Sequence, residues 1–158
     1  LSGARVGGGA GRRVPALCTP ESLAAAVHRH RGTQGGPLRS VALGLLRSPV
    51  DSPAETRLRL LIVRSGFVEP MVNCPVRVAG RTLYADLGYP HWRIAIEFEG
   101  RYHFVGGEEQ ARRDVERHER MKSAGWEVLR VTARDLRDPR GFLGRLATAI
   151  AAAVSRVA

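Results

Sequence analysis

The chain has 158 residues, with 25 Lys or Arg against 15 Asp or Glu, a formal net charge of +10 and a pI near 11.2. An excess of this size suits a polyanionic partner, and a hydrophobic content of 44% is too high for a disordered basic tail. No apolar run reaches the roughly 18 residues of a membrane helix, the C-terminal candidate being interrupted by Arg145, Ser155 and Arg156, so no membrane partner is expected. Every cationic side chain except Lys122 is arginine, a bias that a GC-rich genome alone produces, so part of the basicity is compositional. Cys18 and Cys74 have neither metal-ligand spacing nor a redox pair, and a reducing cytoplasm is the expected compartment. The opening LSGARVGGGAGRR lacks a methionine and an apolar signal core, which reads as a fragment or an internal start.

In chain order, residues 1–16 read as a flexible basic arm, because the glycines between Gly3 and Gly11 hold no packed element and Arg5, Arg12 and Arg13 repel one another. Thr19 starts a short helix with Pro20 at its first position, which HRHRG ends, and a second short helix is expected over about Leu38 to Leu46. SPVDSP contains two prolines and marks a boundary between an N-terminal extension, residues 1–50, and a domain over 51–158. Ser52 and Glu55 form a capping box for a helix from Pro53 to about Arg64, with Leu58, Leu61 and Ile62 on one face. Gly66 stops it, and Val72 to Val78 follows as a strand that Pro75 assigns to a sheet edge. A hairpin over 82–99, looped at Pro90 to Arg93, is followed by a charged helix over Glu108 to Ser123, a strand over 126–131 and a last helix from about Arg140 to Val157.

Side chains alternate along a strand, so Ile94, Ile96 and Phe98 share one face while Ala95, Glu97 and Glu99 share the other. Pairing Tyr89 with Ile94 across the loop sets Asp86 opposite Glu97, with Cβ atoms about 5 Å apart, a span one divalent cation bridges. The competing reading is an ordinary solvated strand face whose carboxylates are neutralised by Arg77, Arg81 or Arg101.

Taken in order, SPAETRLRLLIVRSGF, YADLGYPHWRIAIEFEGRYHF and RRDVERHERMKSAGWEVLRVTARDL resemble the PD-(D/E)XK nuclease superfamily. The likeness is to the branch of the very short patch repair (Vsr-like) endonucleases and a related uncharacterised actinobacterial domain, and it covers about residues 52–137. It implies a restriction-endonuclease-like α/β fold with an αβββαβ core: a mixed central sheet flanked by helices, plus a C-terminal helix and the basic extension. It assigns Asp86 and Glu97 as metal ligands, Glu55 as a helix-one glutamate completing the acidic cluster, and His103 as an active-site histidine. Asp114 and Arg117 match a charged pair on the helix before the GW strand, which Gly125 and Trp126 open. The chain departs from the superfamily motif at Glu99, which stands where a lysine would orient the attacking water. Three outcomes stay open: Glu99 holds a second metal as a third carboxylate, Lys122 supplies a displaced ammonium, or the site is catalytically dead. As a cation near a helix C-terminus, Lys122 also simply suits the helix dipole.

The activity so implied is metal-dependent DNA endonucleolysis, in repair or in mismatch or nick processing, with Mg²⁺ (replaceable by Mn²⁺) on Asp86, Glu97 and Glu99 and with Glu55 and His103 assisting. Arg12, Arg13, Arg112, Arg113 and Arg117 are the expected phosphate contacts. Asp114 and Glu116 pair locally with Arg117 and Arg120, leaving Arg112 and Arg113 freer. The alternative expectation is an inactive DNA-binding module of nuclease fold, such as the C-terminal part of an abortive-infection-type antitoxin or regulator.

Overall fold

The computed structural model describes residues 18–48, 52–99 and 107–156. Arg12 and Arg13 of the expected basic arm, and Arg101 and His103, lie outside the described residues. The elements in order are α1 (Pro20–Arg29), α2 (Gly36–Gly44), α3 (Pro53–Arg64), β1 (Met71–Val78), β2 (Arg81–Tyr89), a 3₁₀ turn (Pro90–Trp92), β3 (Ile94–Glu99), α4 (Gly107–Ser123), β4 (Glu127–Thr132), α5 (Ala133–Arg137) and α6 (Arg140–Ser155). The four strands form one mixed sheet in the order β1-β2-β3-β4, antiparallel except for the parallel β3–β4 pair that α4 connects. This is the αβββαβ order expected from the sequence, in an α/β fold with helices on both faces of the sheet.

Each boundary follows from local chemistry. Thr19 and Ser22 form a reciprocal capping box at α1, and the Ser52 hydroxyl accepts from the Glu55 amide at the start of α3. α4 ends in a Schellman arrangement: Gly125 has φ +80, its N–H donates to the Lys122 carbonyl, and the Trp126 N–H reaches the Met121 carbonyl. Met121 and Trp126 then pack together, which explains why the GW pair opens β4. The short helix α5 escapes the sequence reading although Thr132 and Asp135 announce it, each capping the other. The 3₁₀ turn, with Arg93 at φ +51, replaces a simple loop, and Trp92 folds back to pack against Tyr89, the ring centroids 5.2 Å apart and the planes tilted by 46°.

One face of the sheet packs against α3 and α6 through Leu58, Ile62, Leu87, Ile94, Ile96, Phe142 and Leu146, all fully buried. The other packs against α4 through Cys74, Val76, Ala85, Ala95, Met121 and Trp126. The face carrying Ala95, Glu97 and Glu99 is therefore covered by a helix, not solvated. Two residues apart in each strand, the Val72–Leu87 pair belongs to the first cluster and the Cys74–Ala85 pair to the second. Strict alternation would keep both pairs on one face. The switch falls where Asn73 takes the left-handed conformation, φ +51, inside β1.

β1 and β2 pair along their whole length, from Met71–Gly88 to Val78–Arg81, whereas β2 and β3 pair only over Leu87–Ile96 to Tyr89–Ile94. Beyond that level β1 and β2 continue as a two-stranded ribbon, closed by Ala79 and Gly80 at φ +43 and +77, the signs of a type I′ turn. β1 is an edge strand, as Pro75 led us to expect. The N-terminal helices are tied to the rest by Arg59, fully buried, which donates to Glu69 at 2.5 Å and to the Leu45 carbonyl, and by Arg47 on the same glutamate at 2.8 Å.

Candidate functional site

The site forms at the fork where β2 leaves β3. The register places Tyr89 against Ile94 and Leu87 against Ile96, so Asp86 follows at the level of Glu97. The backbone ladder ends one step short of that pair. The Asp86 side chain takes over, its Oδ2 accepting from the Phe98 N–H at 2.7 Å. Asp86 thus closes the open end of the ladder and satisfies an amide that has lost its strand partner.

Glu97 is only 6% exposed and faces α4. Arg117 grips it with both arms, its two terminal nitrogens donating at 3.0 Å to Oε2 and 3.0 Å to Oε1, and one nitrogen also donates to the Tyr84 carbonyl. This bidentate fork is the strongest geometry available to a carboxylate and a guanidinium. Burial pushes the Glu97 carboxyl up to about 7, opposed by Arg117 and reinforced by the negative charges of Asp86 and Asp114. Glu99, one strand alternation further on, pairs with Arg130 of β4.

Asp114, Arg117, His118 and Met121 recur at helical spacing and form the stripe that α4 turns to the sheet, with Met121 fully buried and the three polar residues half-buried. His118 is the site residue that the sequence reading missed. Burial, followed by the charges of Arg130 and Arg117, lowers its basicity, against the pull of Glu99 and Asp114. The 3–4 spacing that runs back from Met121 through His118 to Asp114 is the signal that would have found it.

The fold therefore brings Asp86 and Glu97 together, with Arg117, Asp114 and His118 around them. Glu55 is buried on α3, in the layer opposite the one that Glu97 faces. Arg112 and Arg113 are not the freer pair expected, since they meet Glu116 at 3.4 Å and Glu109 at 2.5 Å on the exposed face of α4. Glu116 also meets Arg120 at 3.5 Å, as the (i, i+4) spacing anticipated, while Arg117 is bound to Glu97. Lys122 lies with Glu119 at 3.0 Å on the outer face.

The donor chemistry suits a hard cation, since carboxylates are what Mg²⁺ takes. The arrangement does not. Both oxygens of Glu97 are engaged by a guanidinium, Glu99 by another, and Asp86 Oδ2 by a backbone amide. Among the described residues no three His, Cys, Asp or Glu side chains are placed to share one metal ion. In this arrangement Arg117 supplies the positive charge that the paired carboxylates demand, and the described residues, so engaged, do not fit a metal.

No family model matches the chain. No solved structure matches it either. Two curated relatives do, both from Mycobacterium tuberculosis: the uncharacterized protein MT2308 of strain CDC 1551 / Oshkosh and the uncharacterized protein Rv2248 of strain ATCC 25618 / H37Rv. Each is 27% identical over 141 residues, which cover 88% of this chain and 50% of the relative. The chain is thus similar to one part of longer mycobacterial proteins and spans about half the length of the curated relatives it matches.

Proposed function

We propose that the chain is a DNA-binding domain built on a nuclease-like α/β core, in which an internal guanidinium neutralises the acidic centre. The observation that carries this reading is the Glu97–Arg117 fork. With Glu99 also neutralised, by Arg130, the site's acidity is answered from within. The net charge of +10 is left to the rest of the molecule, where a polyanion with regularly spaced phosphates is its natural counterpart.

A second reading, metal-dependent phosphodiester hydrolysis, is favoured by one observation: Asp86 and Glu97 lie at the same level of adjoining strands where those strands part. It requires Arg117 to leave Glu97. One experiment separates the two. The protein is incubated with supercoiled plasmid and with linear mismatched duplex in Mg²⁺, Mn²⁺ or EDTA, beside Asp86→Ala and Glu97→Ala, and duplex binding is followed across a salt series. The first reading expects binding that weakens steeply with salt and no metal-dependent nicking. Nicking that needs metal and is lost in both variants establishes the second. The absence of salt-sensitive binding sinks the first.

A further inference from the structure

The ribbon formed by the outer parts of β1 and β2 has two unlike faces. Cys74, Val76, Leu83 and Ala85 turn inward and pack with Met121 of α4. Between them, Pro75 pairs with Tyr84 and Arg77 with Thr82, and all four are exposed. Arg81 flanks the Ala79–Gly80 turn and is exposed as well. No Asp or Glu occurs between Glu69 and Asp86, so the ribbon carries positive charge without a neutralising carboxylate of its own. The contrast with α4 is direct. There each of Arg112, Arg113, Arg117 and Arg120 has an acidic partner, whereas Arg77 and Arg81 have no side-chain hydrogen bond or ion pair among the described residues.

From this we infer that the β1–β2 ribbon is the element that enters the major groove of duplex DNA, with Arg77 and Arg81 on the phosphates and with Thr82 and Tyr84 toward the groove floor. The shape fits, since the major groove of B-form DNA is about 12 Å wide and admits a two-stranded ribbon. The major groove of duplex RNA is deep and narrow and does not. The support fits too: the apolar underside rests on α4, and Arg117 ties the Tyr84 carbonyl to Glu97, so the ribbon is braced on the acidic centre. A duplex held there lies beside the fork. This inference rests on the DNA-binding reading above.

The test uses the whole chain and a short random-sequence DNA duplex, with an RNA duplex of the same sequence and a polyglutamate as rival ligands, read by fluorescence anisotropy across a salt series. Arg77→Gln/Arg81→Gln removes two ribbon charges. Arg134→Gln/Arg137→Gln removes two from α5 and controls for net charge. The ribbon variant is expected to lower the slope of log K against log salt by about 2, and the α5 variant by less than half as much, with both retaining the parent's thermal midpoint. Equal slopes in the two variants, or equal binding of DNA, RNA and polyglutamate, overturn the ribbon assignment and leave DNA binding standing. Failure of the parent chain to bind duplex DNA at all overturns both.

Discussion

Replacing Arg117 by methionine tests whether a guanidinium holds the acidic centre together. The substitution keeps most of the side-chain volume and removes three hydrogen bonds, two to Glu97 and one to the Tyr84 carbonyl. Part of the loss is independent of pH. Tyr84 is half exposed, so water can replace its partner, and this part costs about 1 kcal/mol. The remainder depends on the protonation of Glu97, whose carboxyl is pushed up to about 7. At pH 5 it is protonated with or without Arg117, and little is lost. Above pH 7 the parent ionises it against the guanidinium, but the variant must keep the proton on a carboxyl that faces Asp86 and Asp114. The difference grows at about 1.4 kcal/mol per pH unit. At pH 8 the variant should therefore be destabilised by about 1 kcal/mol more than at pH 5, or about 2 kcal/mol in all, adding the constant part. Urea unfolding at the two pH values measures this directly, and with a slope near 2 kcal/mol/M the midpoint at pH 8 should fall by about 1 M. A loss that is the same at both pH values would refute the reasoning, because Glu97 would then not be titrating against Arg117.

Two further outcomes are expected. Glu97 has a raised carboxyl, so the folded state holds its proton more tightly than the unfolded chain; the resulting stability is full below about 4.5 and is lost as the pH rises through about 7. Glu97→Gln should remove that part of the pH dependence, about 3 kcal/mol across the window, and a stability profile identical to the parent's between pH 4.5 and 7 would contradict it. Gly88→Ala places a Cβ 2.8 Å from the Cys74 sulfur and 2.8 Å from the Ile94 carbonyl oxygen. Strand backbone cannot yield as a flexible side chain does, so the variant should lose about 2 kcal/mol and melt about 4–8 °C lower, as followed by circular dichroism.

The skeleton of the fold was legible because its signals are local. Ser52 and Pro53 start a helix, Pro75 marks an edge strand, and Gly125 before Trp126 ends α4 and opens β4. The level of Asp86 relative to Glu97 was legible too, since fixing one pair at the turn fixes the whole antiparallel register. What periodicity could not reveal is where that pairing stops. Alternation along β3 says that Glu97 and Glu99 share a face, but not that α4 covers it or that the ladder opens at Asp86. Nor does local spacing reveal a partner distant in the chain. Asp114 lies three residues before Arg117 and looked like its counterion, yet Arg117 turns to Glu97, twenty residues away. Burial strips the Glu97 carboxylate of solvent, so its charge has to be balanced by a guanidinium at hydrogen-bond distance, and Arg117 is the one the fold brings there.

The proline in β1 has a consequence for how the molecule behaves in crowded solution. A ribbon that stands clear of its sheet to meet a ligand offers neighbouring molecules a row of backbone donors and acceptors, which is how strands recruit one another into aggregates. Pro75 sits in the middle of the outer strand, is exposed, and has no N–H to donate. Arg77, two residues on, adds a charge that a second copy of the same strand would have to meet in kind. The two residues let the arm extend into solvent while making it a poor template for its own kind.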